Sequence, residues 1–312
     1  IDELNYCTNQ RRNLRLNGMA FAQLNFGEIT DALKGLTYRI QVGPEFRHNT
    51  EGTANAADGI NGDGQNKAKY TPGQSRAYTL DNIINYNRTF ADKHNLGITL
   101  MQSASEYHAE NATLSGNVHS PEELWYNIGS NKDLTAFGTS LTEKSMASYM
   151  VRVNYSFDDR YMLTASMRWD GASQLSDGNK WDSFPSVALG WRLDQENFLY
   201  DKDWLDQLKL RLGFGASGNA AISAYATKGS LQENYYNFGT TSSTLGYLPS
   251  DASAKTPASM ANQDLGWERT TQFNLGVDFS MLRGRINGSI DYYHTKTTDL
   301  LLAMTIPSLT GY

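Results

Sequence analysis

Apolar and polar residues alternate along this chain with a period of two, and no window of useful length keeps an apolar stripe at helical spacing. From Leu14 the even positions read Leu14, Leu16, Gly18, Ala20, Ala22, Leu24 and Phe26, with Asn13, Arg15, Asn17, Gln23 and Asn25 between them. After a break at 27–35 the pattern resumes as Leu36, Tyr38, Ile40 and Val42 against Thr37, Arg39 and Gln41. It returns as Tyr149, Val151, Val153, Tyr155 and Phe157 against Ser148, Arg152, Asn154 and Ser156, and as Tyr161, Leu163, Ala165, Met167 and Trp169 against Arg160, Thr164, Ser166 and Arg168. Successive side chains of a strand point to opposite faces, so each run predicts a strand with one apolar and one polar side. Further candidates at 78–90, 95–108, 182–193, 207–216, 267–280 and 284–297 bring the expectation to roughly ten strands, paired as hairpins.

The connections alternate between tight and long. Brief turns fall at 91–95, 158–159 and 281–284, and extended polar loops at about 43–77, 109–144 and 217–266. That sorting is the signature of an outer-membrane barrel, with short periplasmic turns and long extracellular loops. The fold expected is therefore all-β, a transmembrane antiparallel β-barrel present in part. The loops are rich in Gly, Asn, Ser and Thr and predict flexible excursions with no domain boundary. Ser120, Pro121, Glu122 and Glu123 announce a short helix in one of them, with serine as N-cap and proline at the first helical position. The connection at 198–207 carries Tyr200 and Trp204, rings suited to the inner membrane interface.

Composition sharpens this picture. The net charge is -6 and Lys and Arg are scattered, which excludes the basic stripe a nucleic-acid surface requires. The single cysteine, Cys7, allows neither an internal disulfide nor a CxxC site. No run approaches the roughly 20 apolar residues of a spanning helix. Alternating strands dilute hydropathy, so this does not argue against a membrane, and 18 Tyr and 6 Trp are what interfacial girdles would use. The start at Ile1 and the stop at Tyr312 straight after an apolar run read as cut ends of a longer polypeptide.

A family resemblance rests on particular residues. Arg168-Trp169-Asp170-Gly171-Ala172-Ser173, then Lys180-Trp181, then Phe184-Pro185-Ser186-Val187-Ala188-Leu189-Gly190-Trp191-Arg192 resemble the SusC/RagA family of TonB-dependent outer-membrane transporters. Leu265-Gly266-Trp267-Glu268, continuing through Phe273, Asn274, Gly276 and Asp278 to Asn287-Gly288-Ser289-Ile290-Asp291-Tyr292-Tyr293, resembles the next hairpin. The likeness is clear over 145–312 and weaker over 13–108; Gln263 and Ala172 stand where family members often have Pro and Ser. The resemblance implies a bacterial protein of the Bacteroidota whose barrel has roughly twenty-two strands. It implies that residues 1–312 form part of that barrel domain, with the plug and the TonB-binding segment outside this sequence. It also implies a SusD-like lipoprotein lid, the TonB–ExbB–ExbD complex as energy source, and glycan or peptide as cargo.

Candidate contacts follow from position. Trp125, Tyr126, Tyr235 and Tyr236 are loop aromatics whose faces suit sugar rings or peptide, and whose ordinary role is loop packing or contact with a lid. Arg152, Asn154 and Arg168 fall on the polar, lumen-side face; such arginines either meet cargo or pair with neighbouring strand acids. Asp58, Asn61 and Asp63 on a glycine-hinged turn at 58–64 have a calcium-loop flavour, yet Tyr70 occupies the place of the closing glutamate. The five histidines show no paired ligand spacing, no GxSxG elbow or P-loop is present, and Asp158-Asp159 reads as a solvated turn. No cofactor, metal or enzymatic activity is expected. Two other readings fit the alternation: a soluble all-β carbohydrate-binding module or adhesin, whose apolar faces would pack on a second sheet, and a passive porin.

Overall fold

The computed structural model describes residues 3–129, 133–200, 202–228, 232–237, 243–248 and 261–302. Strands dominate: β1 (Cys7–Asn17), β2 (Ala20–Asn25), β3 (Leu36–Asn55), β4 (Lys67–Phe90), β5 (His94–Asn117), β6 (Leu134–Phe157), β7 (Tyr161–Ala172), β8 (Trp181–Arg192), β9 (Leu205–Asn219), β10 (Gln232–Asn237), β11 (Ser243–Leu248), β12 (Glu268–Met281) and β13 (Ile286–Thr298). Eleven of them make one sheet in the order β1-β3-β4-β5-β6-β7-β8-β9-β12-β13, with β2 also paired to β3, while β10 and β11 form a separate two-stranded sheet. Neighbours in the order are neighbours in sequence, apart from β2, which lies between β1 and β3 in the chain, and the excursion through β10 and β11. That is an up-and-down meander of hairpins.

The tight turns form where they are expected. In the turn after β6, Asp158 and Asp159 both have φ 52° and the Arg160 N–H donates to the Phe157 carbonyl at 2.9 Å. Ala91 and Asp92 repeat the arrangement after β4, closed by Lys93 N–H on the Phe90 carbonyl at 3.2 Å. Two successive left-handed residues match the right-handed twist of the flanking strands, as a type I′ turn does. Gly35, with φ +91°, is needed in the turn before β3, because a Cβ there would stand 2.0 Å from the Asn87 carbonyl oxygen.

The long loops are shorter than the sequence suggests, which corrects the expectation of loops at 43–77 and 109–144. The strands run on through those segments to Asn55, from Lys67, to Asn117 and from Leu134, so that β4, β5 and β6 each reach 24 residues. About ten residues suffice to cross a bilayer at the usual tilt, so the rest of each strand has water on both faces and loses the alternation that marks a strand. The expected count of ten strands also falls short. The first alternating run is interrupted at Gly18 and Met19, where Gly18 N–H donates to the Pro44 carbonyl at 3.0 Å, and β10 and β11 lie inside the stretch read as one loop at 217–266. The helix announced by Ser120 is a single 3-10 turn, Pro121–Glu123, whose Glu122 N–H donates to the Ser120 hydroxyl.

Contacts gather the chain into two compact units that interleave along the sequence, one of 1–22, 40–80 and 104–145, the other of 23–39, 81–103 and 146–312. In the first, Ala54, Ala68, Val118 and Trp125 form a small core with Tyr70, Leu124 and Ile128 against it. In the second, Ala172, Leu175, Phe184 and Trp267 do the same, with Phe184 and Trp267 edge to face at 5.4 Å and the indole N–H donating to the Lys180 carbonyl at 2.9 Å. Both cores are modest. Most large apolar side chains lie elsewhere, on the sheet surface.

Candidate functional site

The register of the second unit sorts side chains into rows. Val153, Ala165, Val187, Phe214, Phe273 and His294 line up across β6, β7, β8, β9, β12 and β13, and beside them run Tyr155, Leu163, Leu189, Leu212, Leu275 and Tyr292. The intervening rows, Arg152, Ser166, Ser186, Gly215, Gln272 and Thr295, and Asn154, Thr164, Ala188, Gly213, Asn274 and Tyr293, belong by the pleat to the other face. Among the described residues no second layer covers the apolar rows: Val187 is 41%, Leu189 46% and Phe214 49% exposed. A sandwich would have buried them, so the soluble-module reading loses its central expectation. A contiguous apolar surface of this kind needs hydrocarbon against it.

Aromatic rings bound the band. Tyr149 stacks on Trp181 with centroids 6.0 Å apart, and Phe157, Tyr161 and Trp191 stack in series at 6.3 and 6.4 Å. Trp181 and Trp191 are ten residues apart on β8. At about 3.3 Å per residue and a tilt near 45°, they are separated by roughly 23 Å along the membrane normal, close to the ≈25 Å apolar band of an outer-membrane barrel. Near the lower ring row, Glu196 accepts hydrogen bonds from the Tyr161 hydroxyl at 2.6 Å and the Trp191 indole at 3.0 Å. These bonds hold the Glu196 carboxyl below its ordinary pKa. Tyr200 and Trp204, in the same connection, are exposed.

The opposite face carries charge in pairs. Arg168 donates from Nε to both oxygens of Asp170 at 2.8 Å and from Nη2 to the Ser148 hydroxyl at 3.1 Å, which commits it to a strand acid. Arg211 bonds both oxygens of Asp278 at 2.7 Å and reaches Asp291 at 3.0 Å. Arg192 pairs with Asp194 at 2.7 Å; Arg269, at the start of β12 and on the pleat side of Phe273, pairs with Asp182 at 3.2 Å. The side-chain amide oxygen of Asn154 accepts from the Thr164 hydroxyl at 3.0 Å. Arg152 differs: it has no carboxylate partner among the described residues and lies 3.9 Å from the Met150 sulfur. The Arg211 cluster escaped the sequence reading because its acids stand 67 and 80 residues away, where no spacing rule reaches.

In the first unit Trp125 and Tyr126 part company. Trp125 is buried over Gly52, where an added Cβ would sit 2.1 Å from the indole, whereas Tyr126 is 70% exposed. Their rings lie 5.5 Å apart on the rim of a cleft of about 370 Å³ that also includes Gln10, Arg12, Thr50 and Tyr70. Tyr235 and Tyr236 fall in β10 with backbones opposite Leu245 and Thr244; their side chains lie outside what is described. The turn at 58–64 closes on its own hydrogen bonds, Ala57 N–H to the Asn66 side chain at 2.9 Å and Gly64 N–H to the Ala57 carbonyl at 3.0 Å. Among the described residues no three His, Cys, Asp or Glu side chains cluster as metal ligands.

His108 lies beyond the first ten or so residues of β5, which are enough to cross the bilayer. Its ring nitrogens stand 2.9 Å from Glu110 and 3.0 Å from Glu143, so only the doubly protonated ring donates to both. The bonds to Glu110 and Glu143 raise its pKa above the ordinary histidine value, against the nearby Arg76 charge, while bonds from His108 and Gln74 lower that of Glu110. A raised histidine stabilises the fold fully below its unfolded pKa and loses that contribution as pH rises through the folded value; the depressed glutamate loses its share as pH falls through its own. Amide exchange over 104–112, corrected for its intrinsic pH dependence, is expected to be slowest in mildly acidic buffer and to speed up on the alkaline side. In His108→Gln the alkaline rise should vanish; its persistence would disprove the link.

A sheet whose one face is an aromatic-bounded apolar band and whose other face is ion-paired is the wall of a transmembrane β-barrel. Residues 3–311 match the model of the TonB dependent receptor-like β-barrel, and the chain belongs to that family. It is a segment of a bacterial outer-membrane protein. TonB-dependent receptor P39 of Formosa agariphila is 30% identical over 97% of this chain and 28% of its own length, and TonB-dependent receptor SusC of Bacteroides thetaiotaomicron is 43% identical over 58% of this chain and 17% of its own. The solved RagAB peptide transporter superposes with a TM-score of 0.83 at 21% identity, covering 99% of this chain and 33% of that one, a likeness of fold. The chain thus spans a third or less of each of these three proteins.

Proposed function

We propose that the protein to which this wall belongs imports an oligosaccharide or oligopeptide across the outer membrane. Residues 1–312 supply barrel wall, and a plug elsewhere in the polypeptide is moved by TonB with ExbB and ExbD. A SusD-like lipoprotein closes over the outer loops, where Tyr126, with Trp125 behind it, and Tyr235 and Tyr236 meet the lid or the cargo. Arg152, Asn154 and Arg168 face the lumen. The protein moves its cargo chemically unchanged and is not an enzyme. The observation that carries this reading is the split sheet: six strands in register with hydrocarbon-seeking rows on one side and Arg–Asp pairs on the other. SusC is named as a TonB-dependent receptor and RagAB as a peptide transporter, which supports TonB-driven import and leaves the cargo class open.

Deleting the gene in its native host and supplying single glycans or peptides as sole nutrient tests the proposal. Growth on one nutrient class should fail and return with the gene. Uptake that continues when ExbB and ExbD are inactivated would replace active import by passive diffusion.

A further inference from the structure

On the polar face of the β1–β3 pair the cross-strand partners are Arg11 with Glu51, Asn13 with Asn49, and Arg15 with Arg47. Two like charges directly opposite each other weaken an antiparallel pair, so the Arg15–Arg47 match is one that stability alone does not favour. A single carboxylate serves both: Glu45 accepts from Arg15 at 2.9 Å and from Arg47 at 3.3 Å. Arg11 is matched one to one with Glu51 at 2.7 Å. Three guanidinium groups therefore share two carboxylates in a cleft of about 460 Å³, positive in a chain whose net charge is -6. Between the charged pairs lie the Asn13 and Asn49 amides. Beside Asn49 the neighbouring position is Gly73, whose Cβ, if present, would come within 2.9 Å of the Asn49 amide oxygen and 2.4 Å of that of Asn111. A side chain there would crowd the amides.

We propose that Arg15 and Arg47, flanked by Asn13 and Asn49, form a subsite for a carboxylate carried by the cargo. The planar fork of each guanidinium matches a carboxylate in two parallel bonds, and the amides offer donors and acceptors to an adjoining hydroxyl or peptide group. Glu45 holds the two cations together when the cleft is empty; a bound carboxylate takes over one of them and completes the charge count. The carboxylate belongs to a uronic acid in a glycan or to an acidic peptide, and the same cleft suits either. This rests on the import reading above, of which it names the cargo chemistry.

The test uses the full-length protein with its native partners, purified from outer membranes in detergent. Trigalacturonate and the tripeptide Ala-Ala-Asp are titrated calorimetrically beside neutral counterparts, trigalactose and amidated Ala-Ala-Asn. One carboxylated probe is expected to bind about tenfold or more tighter than its neutral twin, with the advantage shrinking as salt is added. Arg15→Gln with Arg47→Gln should remove that advantage, Arg15→Lys with Arg47→Lys should keep part of it, and Glu45→Gln should enlarge it by freeing both cations. The Glu45 variant decides the matter if the glutamine pair fails to assemble. Which probe wins identifies glycan or peptide as the source. Equal binding of charged and neutral probes, or a Glu45→Gln protein that binds the charged probe no better, overturns the subsite while import can still stand. A wild-type protein that binds the charged probe but carries no nutrient into cells removes the import reading and leaves the subsite.

Discussion

Val187→Arg is expected to cost the assembled protein about 2–4 kcal/mol, the range for a cation near the bilayer midplane on a lipid-facing strand position. Val187 is 41% exposed and one residue from the midpoint between the ring rows of Trp181 and Trp191. Its neighbour Ala188 belongs to the polar row of Asn154 and Thr164. Ala188→Arg should therefore change stability by less than about 1 kcal/mol while adding a cation one residue away. Urea unfolding of the full-length protein refolded into vesicles measures both. Equal losses at the two positions would mean that both faces have the same surroundings, and the membrane assignment of these strands would fall with that result.

Trp125→Ala should release the segment that folds over Gly52, at a local cost in the range of about 3–5 kcal/mol that removing a buried Trp usually carries. The ring fills the space a side chain at residue 52 would need, so Gly52→Val should produce the same release by pushing instead of deleting. Limited proteolysis reads the effect as new cleavage within 118–129. Tyr126→Ala, at a residue 70% exposed, should leave the cleavage pattern unchanged, and any loss of uptake it causes then reports contact with cargo or lid. Protection that survives Trp125→Ala would show that the indole does not hold this segment.

How far the chain could be read from its residues depended on whether the two faces of a strand meet different solvents. Tyr149 to Trp169 meets lipid on one side and polar groups on the other, so alternation marked its strands, its turn and even the cross-strand rows. Residues 43–55 and 109–117 are equally regular strands, yet Gly43, Glu45, His48 and Asn49, or Glu110, Asn111 and Thr113, have the composition of a loop. With water on both sides there is no reason for the residue type to alternate. Arg168 was legible as one half of an ion pair because its acid, Asp170, lies two residues on along the same strand. Trp125 was not legible as a buried ring, since its seat is a glycine seventy-three positions earlier and only the loop's path brings them together. The opposed arginines at 15 and 47 needed the register of β1 and β3, which neither strand alone contains.

Glu196 has a mechanical consequence. Its carboxylate grips one ring from β7 and one from β8 just outside the hydrocarbon. Were the wall to sink, the anion would be dragged into oil; were it to rise, two amphipathic rings would leave the headgroups they prefer. The wall is thus fixed in depth like a float with a keel. A bilayer of mismatched thickness has to thin, thicken or lean around it, since vertical slippage is closed off.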